Sequence, residues 1–153
     1  MIEERNDPSD IRNWQRRPDG ITTSGKLEAD DPARLAQIGV RHVVNLALDD
    51  HPEALANERE LMEAAGIAYT HIPVPFDAPG QEHIDQLERV LKNAEGPVHV
   101  HCIMNYRVTA FFYALDRANG MPDAEARAIM AEVWDPLGSD DPRVLPWKEL
   151  ISR

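Results

Sequence analysis

The sequence predicts an α/β fold, a three-layer sandwich in which helices flank a mainly parallel central sheet of four to five strands. Two observations predict it. Short β-branched runs alternate with apolar-periodic stretches of helical length, and the runs end where a loop leads into the next helix. The third observation concerns organisation: no internal repeat, low-complexity tract or Gly/Ser-rich linker divides the chain. Residues 1–153 therefore read as one domain, with a polar amino-terminal arm at 1–19.

After the arm, Gly20 to Lys26 (GITTSGK) reads as a short β segment. Asp30, Asp31 and Pro32 supply cap and first-turn residues for a helix through Leu35 and Ile38, which Gly39 closes. Arg41 to Leu48 (RHVVNLAL) has the composition and length of a buried strand. His51 to Ala65 places Leu55, Leu61 and Met62 near helical spacing before Gly66 stops it. Ala68 to Val74 is the next strand, and Pro73, Pro75, Pro79 and Gly80 punctuate the loop behind it. His83 to Asn93 then carries Ile84, Leu87, Val90 and Leu91 on one helical face. Val98 to Cys102 (VHVHC) is a strand with His99 and His101 on one side and Val98, Val100 and Cys102 on the other. Val108 to Asn119 is an apolar helix ended by Gly120, Pro122 to Trp134 is another, and Pro146 to Ser152 is a short last one.

Hydrophobic residues make up 42% and charged residues 28%, which speaks against disorder and collagen-like repeats. No run of 18 apolar residues occurs, so no membrane-spanning helix is expected, and the first residues lack a signal-peptide pattern. A cytoplasmic location is the default expectation. A net charge of −11 repels nucleic acid and anionic lipid at long range, which makes both poor partners. The chain has one cysteine, Cys102, so an internal disulfide, a CxxC redox pair and a cysteine-built zinc site are excluded within it.

Cys102 falls at the carboxyl end of a predicted strand, where ligands bind in open parallel sheets. Ile103, Met104, Asn105 and Tyr106 form a short loop, and Arg107 begins an apolar helix. Each part suits anion chemistry. A helix amino terminus and a guanidinium both favour a thiolate, and Arg107 can fork two N–H donors onto a tetrahedral oxyanion. A positive charge at a helix amino terminus is itself unfavourable without an anion to meet it.

The strand, the HC-loop-Arg motif and the following helix resemble the catalytic loop of cysteine-dependent protein phosphatases of the tyrosine and dual-specificity type. The stretch ITTSGKLEADDPARLAQIGVRHVVNLALDD, then AGIAYTHIPV and GPVHVHC, resembles a small bacterial phosphatase-like family whose members also occur fused to metallo-β-lactamase-like hydrolases. The likeness covers about residues 20 to 135. It implies a dual-specificity-phosphatase-like fold and a phosphocysteine mechanism. Cys102 would attack phosphorus, and Arg107 with the loop residues Ile103, Met104, Asn105, Tyr106 and Val108 would hold the phosphoryl oxygens. An aspartic acid would protonate the leaving oxygen, and His101 would order the loop by hydrogen bonding. No metal or organic cofactor is implied. The expected partners are a phosphorylated protein or a small phosphomonoester.

Asp77, in PFDAPG, lies on a loop after a strand, broadly where the resembled family places its acid; a turn-forming aspartate would look the same. Asp135, before Pro136, is the fallback, with helix ending its more natural use. The loop departs from the usual phosphatase pattern in being one residue shorter and lacking glycine. Asn105 stands where glycine often does, and Asn is among the residues that tolerate φ > 0. Val108 followed by Thr109 replaces the usual Ser or Thr after the arginine. Two alternatives follow: a rhodanese-like sulfurtransferase carrying a Cys102 persulfide, and a degenerate phosphate-binding protein without turnover. A metal site from His71, His99, His101 and Cys102 matches no common zinc spacing. Trp14, Trp134 and Trp147 read as packing anchors, and the runs Asp30-Asp31, Asp49-Asp50 and Asp140-Asp141 as solvated loops and caps.

Overall fold

The computed structural model describes residues 7–153. In chain order it comprises β1 (Gln15–Arg16), β2 (Thr22–Ser24), α1 (Asp31–Gln37), β3 (His42–Asn45), α2 (Glu58–Ala64) and β4 (Ala68–His71), then α3 (Gln81–Asn93), β5 (Val98–His101), α4 (Tyr106–Ala118) and α5 (Asp123–Ala131). Two short 3-10 turns, Pro136–Gly138 and Pro142–Val144, lead to α6 (Leu145–Ile151). The five strands run β1-β2-β5-β3-β4. Every pairing is parallel except β1 with β2.

Strand β5 sits at the centre, and its alternation builds the two layers around it. Val98 and Val100 point into the larger apolar cluster, with Ile84 and Leu87 of α3, Phe111 of α4, Met130 of α5 and Trp147 of α6. On the neighbouring strand, Val44 joins that cluster while Val43 faces the smaller one, with Leu35 of α1 and Met62 of α2. The opposite face of β5 carries His99 and His101, and both are buried there. His99 is held between Thr22 Oγ1 and Ser24 Oγ, each at 2.8 Å, with Trp14 stacked on its ring. Ser24 Oγ donates to Gly25 O, so it accepts from His99 Nε2–H, and Nδ1 accepts from Thr22. Burial, and then the neighbouring His101, hold the His99 ring well below its usual titration range.

Beyond strands β2 and β4 and helix α5 being shorter than expected, four differences from expectation bear on the site. The polar arm supplies β1, whose two-residue ladder carries too little periodicity to be read. The helix expected over His51 to Ala65 begins only at Glu58: Pro52 interrupts the first turn, Asn57 turns left-handed at φ 59°, and residues 46–57 form a loop. The ladder ends at Asn45 rather than Leu48, because Asn45 Oδ1 accepts from Ala47 N–H at 2.9 Å and turns the chain. Helix α4 begins at Tyr106, one residue before the arginine expected to open it and two before Val108, so Arg107 lies in its first turn.

Candidate active site

The loop between β5 and α4 is shaped by where its carbonyls go. Cys102 O faces His101 Nδ1 at 3.2 Å. Ile103 O accepts from Lys26 N–H at 2.9 Å and from Arg12 Nη1 at 3.4 Å. Asn13 Nδ2 donates to Met104 O at 2.9 Å, and Thr109 donates to Asn105 O through both N–H (3.1 Å) and Oγ1 (2.9 Å). All the peptides among the described residues are trans, so each anchored carbonyl turns the following N–H the other way. The N–H groups of residues 103–108 meet no acceptor among the described residues. They comprise the loop amides and the first orphan donors of α4, the arrangement of an anion cradle.

Two residues allow that shape. Asn105 adopts φ 69° and ψ 9° as the cap of α4, the left-handed conformation expected of a glycine stand-in. Its Nδ2 donates to Asn13 O at 2.8 Å and to Thr23 Oγ1 at 3.0 Å, so the side chain adds two anchors that glycine lacks. Gly25 passes so close that a Cβ there would lie 2.5 Å from Ile103 O. Its N–H donates to Arg12 O at 2.7 Å, which brings the arm against the loop.

Cys102 and Arg107 line one cavity of about 440 Å³. Both are buried, and Arg107 Nη1 donates to Val74 O at 2.8 Å, which orients the guanidinium from the loop after β4. Ile103, Met104 and Tyr106 also line the cavity, and Leu48, Pro52 and Phe76 complete a largely apolar wall. The Tyr106 ring stacks on Trp134 with centroids 4.8 Å apart. Asn105 and Val108 turn their side chains away, Asn105 into its anchors and Val108 into the core, and so present backbone only. Thr109 Oγ1 is engaged with backbone carbonyls rather than aimed at Cys102.

Asp77 is exposed and does not line the cavity, whereas its neighbour Phe76 does. Phe76 is pinned: Trp147 Nε1 donates to its carbonyl at 2.7 Å, and its ring packs on Trp134 and Trp147. Asp135 is paired with Arg127 and lies outside the cavity wall. The carboxylate that does line the cavity is Asp50, on the loop after β3, beside His51. His51 Nδ1 accepts from Glu53 N–H at 2.9 Å, which leaves Nε2 as the proton-bearing nitrogen. Reading His51 to Ala65 as helix concealed this loop; Pro52 and the preceding Asp49-Asp50 were the available signals. The histidines weighed as metal ligands are committed separately, His71 to Ala47 O, His99 to two hydroxyls and His101 to Glu58.

Solved structures share this architecture. A DUF442 protein from Shewanella putrefaciens CN-32 superposes with a TM-score of 0.77 at 26% identity, covering 99% of this chain and 92% of that one. P. aeruginosa TpbA, in a complex with phosphotyrosine, gives 0.67 at 21% identity over 91% of this chain and 82% of its own. Kinase associated phosphatase gives 0.71 at 13% identity over 95% and 93%. These last two likenesses establish the tyrosine and dual-specificity phosphatase fold. Beta-lactamase hydrolase-like proteins from two strains of Xylella fastidiosa are 32% identical over 98 residues. That region is 62% of this chain and 22% of theirs, so the chain matches a minor part of those longer relatives. The profile of the phosphatase-like domain of beta-lactamase hydrolase-like proteins matches residues 15–120, and the chain belongs to that family.

Proposed function

We propose that the protein hydrolyses phosphomonoesters through a phosphocysteine intermediate. The observation that carries this reading is the Cys102 loop, whose carbonyls are anchored outward, whose amides meet no acceptor, and which shares a cavity with Arg107. In the first step Cys102 Sγ attacks phosphorus while the bond to the ester oxygen breaks, and that oxygen takes a proton from a carboxylic acid. In the second, water attacks phosphorus, the S–P bond breaks, and the carboxylate takes the water's proton as inorganic phosphate leaves. Arg107 and the loop amides hold the oxyanion throughout. The phosphotyrosine bound by TpbA supports phosphorylated protein or a small aryl phosphate as substrate.

Asp77 is the proposed acid, next to Phe76 of the cavity wall; in this role its exposed carboxylate has to turn toward the cavity. Asp50 competes for the role because it already stands on the cavity wall. Phenyl phosphate needs a proton on its leaving oxygen far more than p-nitrophenyl phosphate does. Turnover that vanishes in Cys102→Ser, with a loss in Asp77→Asn much larger on phenyl than on p-nitrophenyl phosphate, is the expected result. The same leaving-group dependence in Asp50→Asn instead would transfer the role to Asp50. No burst and no turnover from wild type on either substrate would sink the phosphatase reading.

A further inference from the structure

Behind the loop lies a buried pair that the proposed chemistry does not use directly. Glu58, the first residue of α2, places Oε2 2.6 Å from His101 Nε2, and the two side chains are only 5% and 4% exposed. The other ring nitrogen faces Cys102 O at 3.2 Å. A carbonyl oxygen only accepts. Glu58 Oε1 accepts from Asn45 Nδ2 at 3.4 Å, and that amide also donates to Tyr69 Oη at 3.1 Å, so Oε2 is the carboxylate oxygen left to accept from His101. Both His101 nitrogens therefore face acceptors, and the arrangement is satisfied when both carry protons.

The rest of the surroundings agree. His99, with centroids 6.3 Å from His101, is a neutral ring held between two hydroxyls and adds no charge. Tyr69, on the β4 side, stays protonated: burial and then Glu58 push its hydroxyl up to about 12. Arg59 is spent over the Tyr69 ring at 5.0 Å. The pair thus sets one carboxyl group, Glu58, against one imidazole, His101, which adjoins Cys102 in the chain.

We propose that Glu58 is a positioning residue that keeps His101 a two-proton imidazolium, which pins the Cys102 carbonyl and sets a positive ring beside the thiol. The inference rests on the reading of Cys102 as nucleophile. Two effects follow from one carboxylate. The pinned carbonyl turns Ile103 N–H toward the cradle, and the charge favours the thiolate over the thiol.

The test uses readouts that need no turnover. In ¹⁵N-histidine spectra of the wild-type protein at neutral pH, both His101 ring nitrogens should be protonated; a ring with one bare nitrogen overturns the proposal. Glu58→Gln keeps the geometry, because its amide can donate to Nε2 while Nδ1–H still reaches Cys102 O, but it removes the charge. Alkylation of Cys102 by iodoacetamide at neutral pH should then slow by about tenfold, and Glu58→Asp should restore most of it. Tyr69→Phe disturbs the same cluster without touching the pair and should stay within about twofold of wild type. A folded Glu58→Gln protein alkylated at the wild-type rate overturns the proposal. If Glu58→Gln does not fold, the wild-type spectra decide. Absent turnover on any phosphomonoester, with both readouts as expected, would fail the phosphatase reading and leave the role of Glu58 standing.

Discussion

At the scale of single residues, the site depends on side chains whose work is to shape the backbone. Asn105 combines a left-handed cap with two Nδ2 hydrogen bonds. Alanine there meets the left-handed penalty of about 1–2 kcal/mol and loses both bonds, so Asn105→Ala should lower stability by about 2–4 kcal/mol. Glycine relieves the strain but not the lost bonds, and Asn105→Gly should fall between alanine and wild type; urea unfolding of the three proteins checks the order. Arg107 makes a different demand. Its Nη1 is spent on Val74 O, which leaves the rest of the fork for a ligand. Lysine cannot do both, so Arg107→Lys should lower kcat/KM by about 10²-fold or more while melting near wild type.

At the scale of elements, three separate segments press on one loop. The arm just before β1 donates from Arg12 and Asn13, the residue after β2, Gly25, passes against Ile103 O, and α2 supplies Glu58 behind His101. Gly25→Ala drives a methyl carbon into that carbonyl and should push the loop off the arm. The expected outcome is a loss of orthovanadate inhibition out of proportion to the loss of stability, read by inhibition and thermal melting on the same sample. The Phe76 loop is held from the far side by α6 through Trp147. Trp147→Phe keeps the apolar bulk but removes the donor to Phe76 O, and should cost about 1–3 kcal/mol because a carbonyl loses its partner.

At the scale of the whole molecule, charge and buried histidine set the dependence on conditions. His99 is neutral in the folded protein and titrates near 6.5 once unfolded. As pH falls through that unfolded value, the unfolded chain gains a proton that the folded one refuses. Stability should therefore decline below about pH 6.5, by at most about 1.4 kcal/mol per pH unit from this group. Burial lowers His42 in the same direction. A His99→Gln protein, melted across pH 5 to 8, should show a shallower decline than wild type. The net charge of −11 opposes the approach of any phosphate ester, so kcat/KM should rise as salt screens that field. No helix among the described residues is long and apolar enough to cross a membrane.

Much of this protein is written locally. Alternation along VHVHC placed His99 and His101 on one side of a central strand, and the structure keeps them there because side-chain direction in a strand has period two. The short path from Cys102 to Arg107, and the tolerance of Asn105 for positive φ, were legible for the same reason: each depends on a few adjacent residues. The loop carrying Asp50 and His51 is less legible, because Leu55, Leu61 and Met62 keep near-helical spacing across it and outweigh the turn signal of Asp49, Asp50 and Pro52. Glu58 left no signal at all. In sequence it is one more acidic residue on an amphipathic stretch, and only the packing of α2 beside β4 buries it and brings its side chain to His101 of β5. Periodicity and spacing act through neighbours in the chain and determine strands, caps and the Cys102 loop. Which distant carboxylate meets that loop is decided by packing, since burial is a property of the assembled layers.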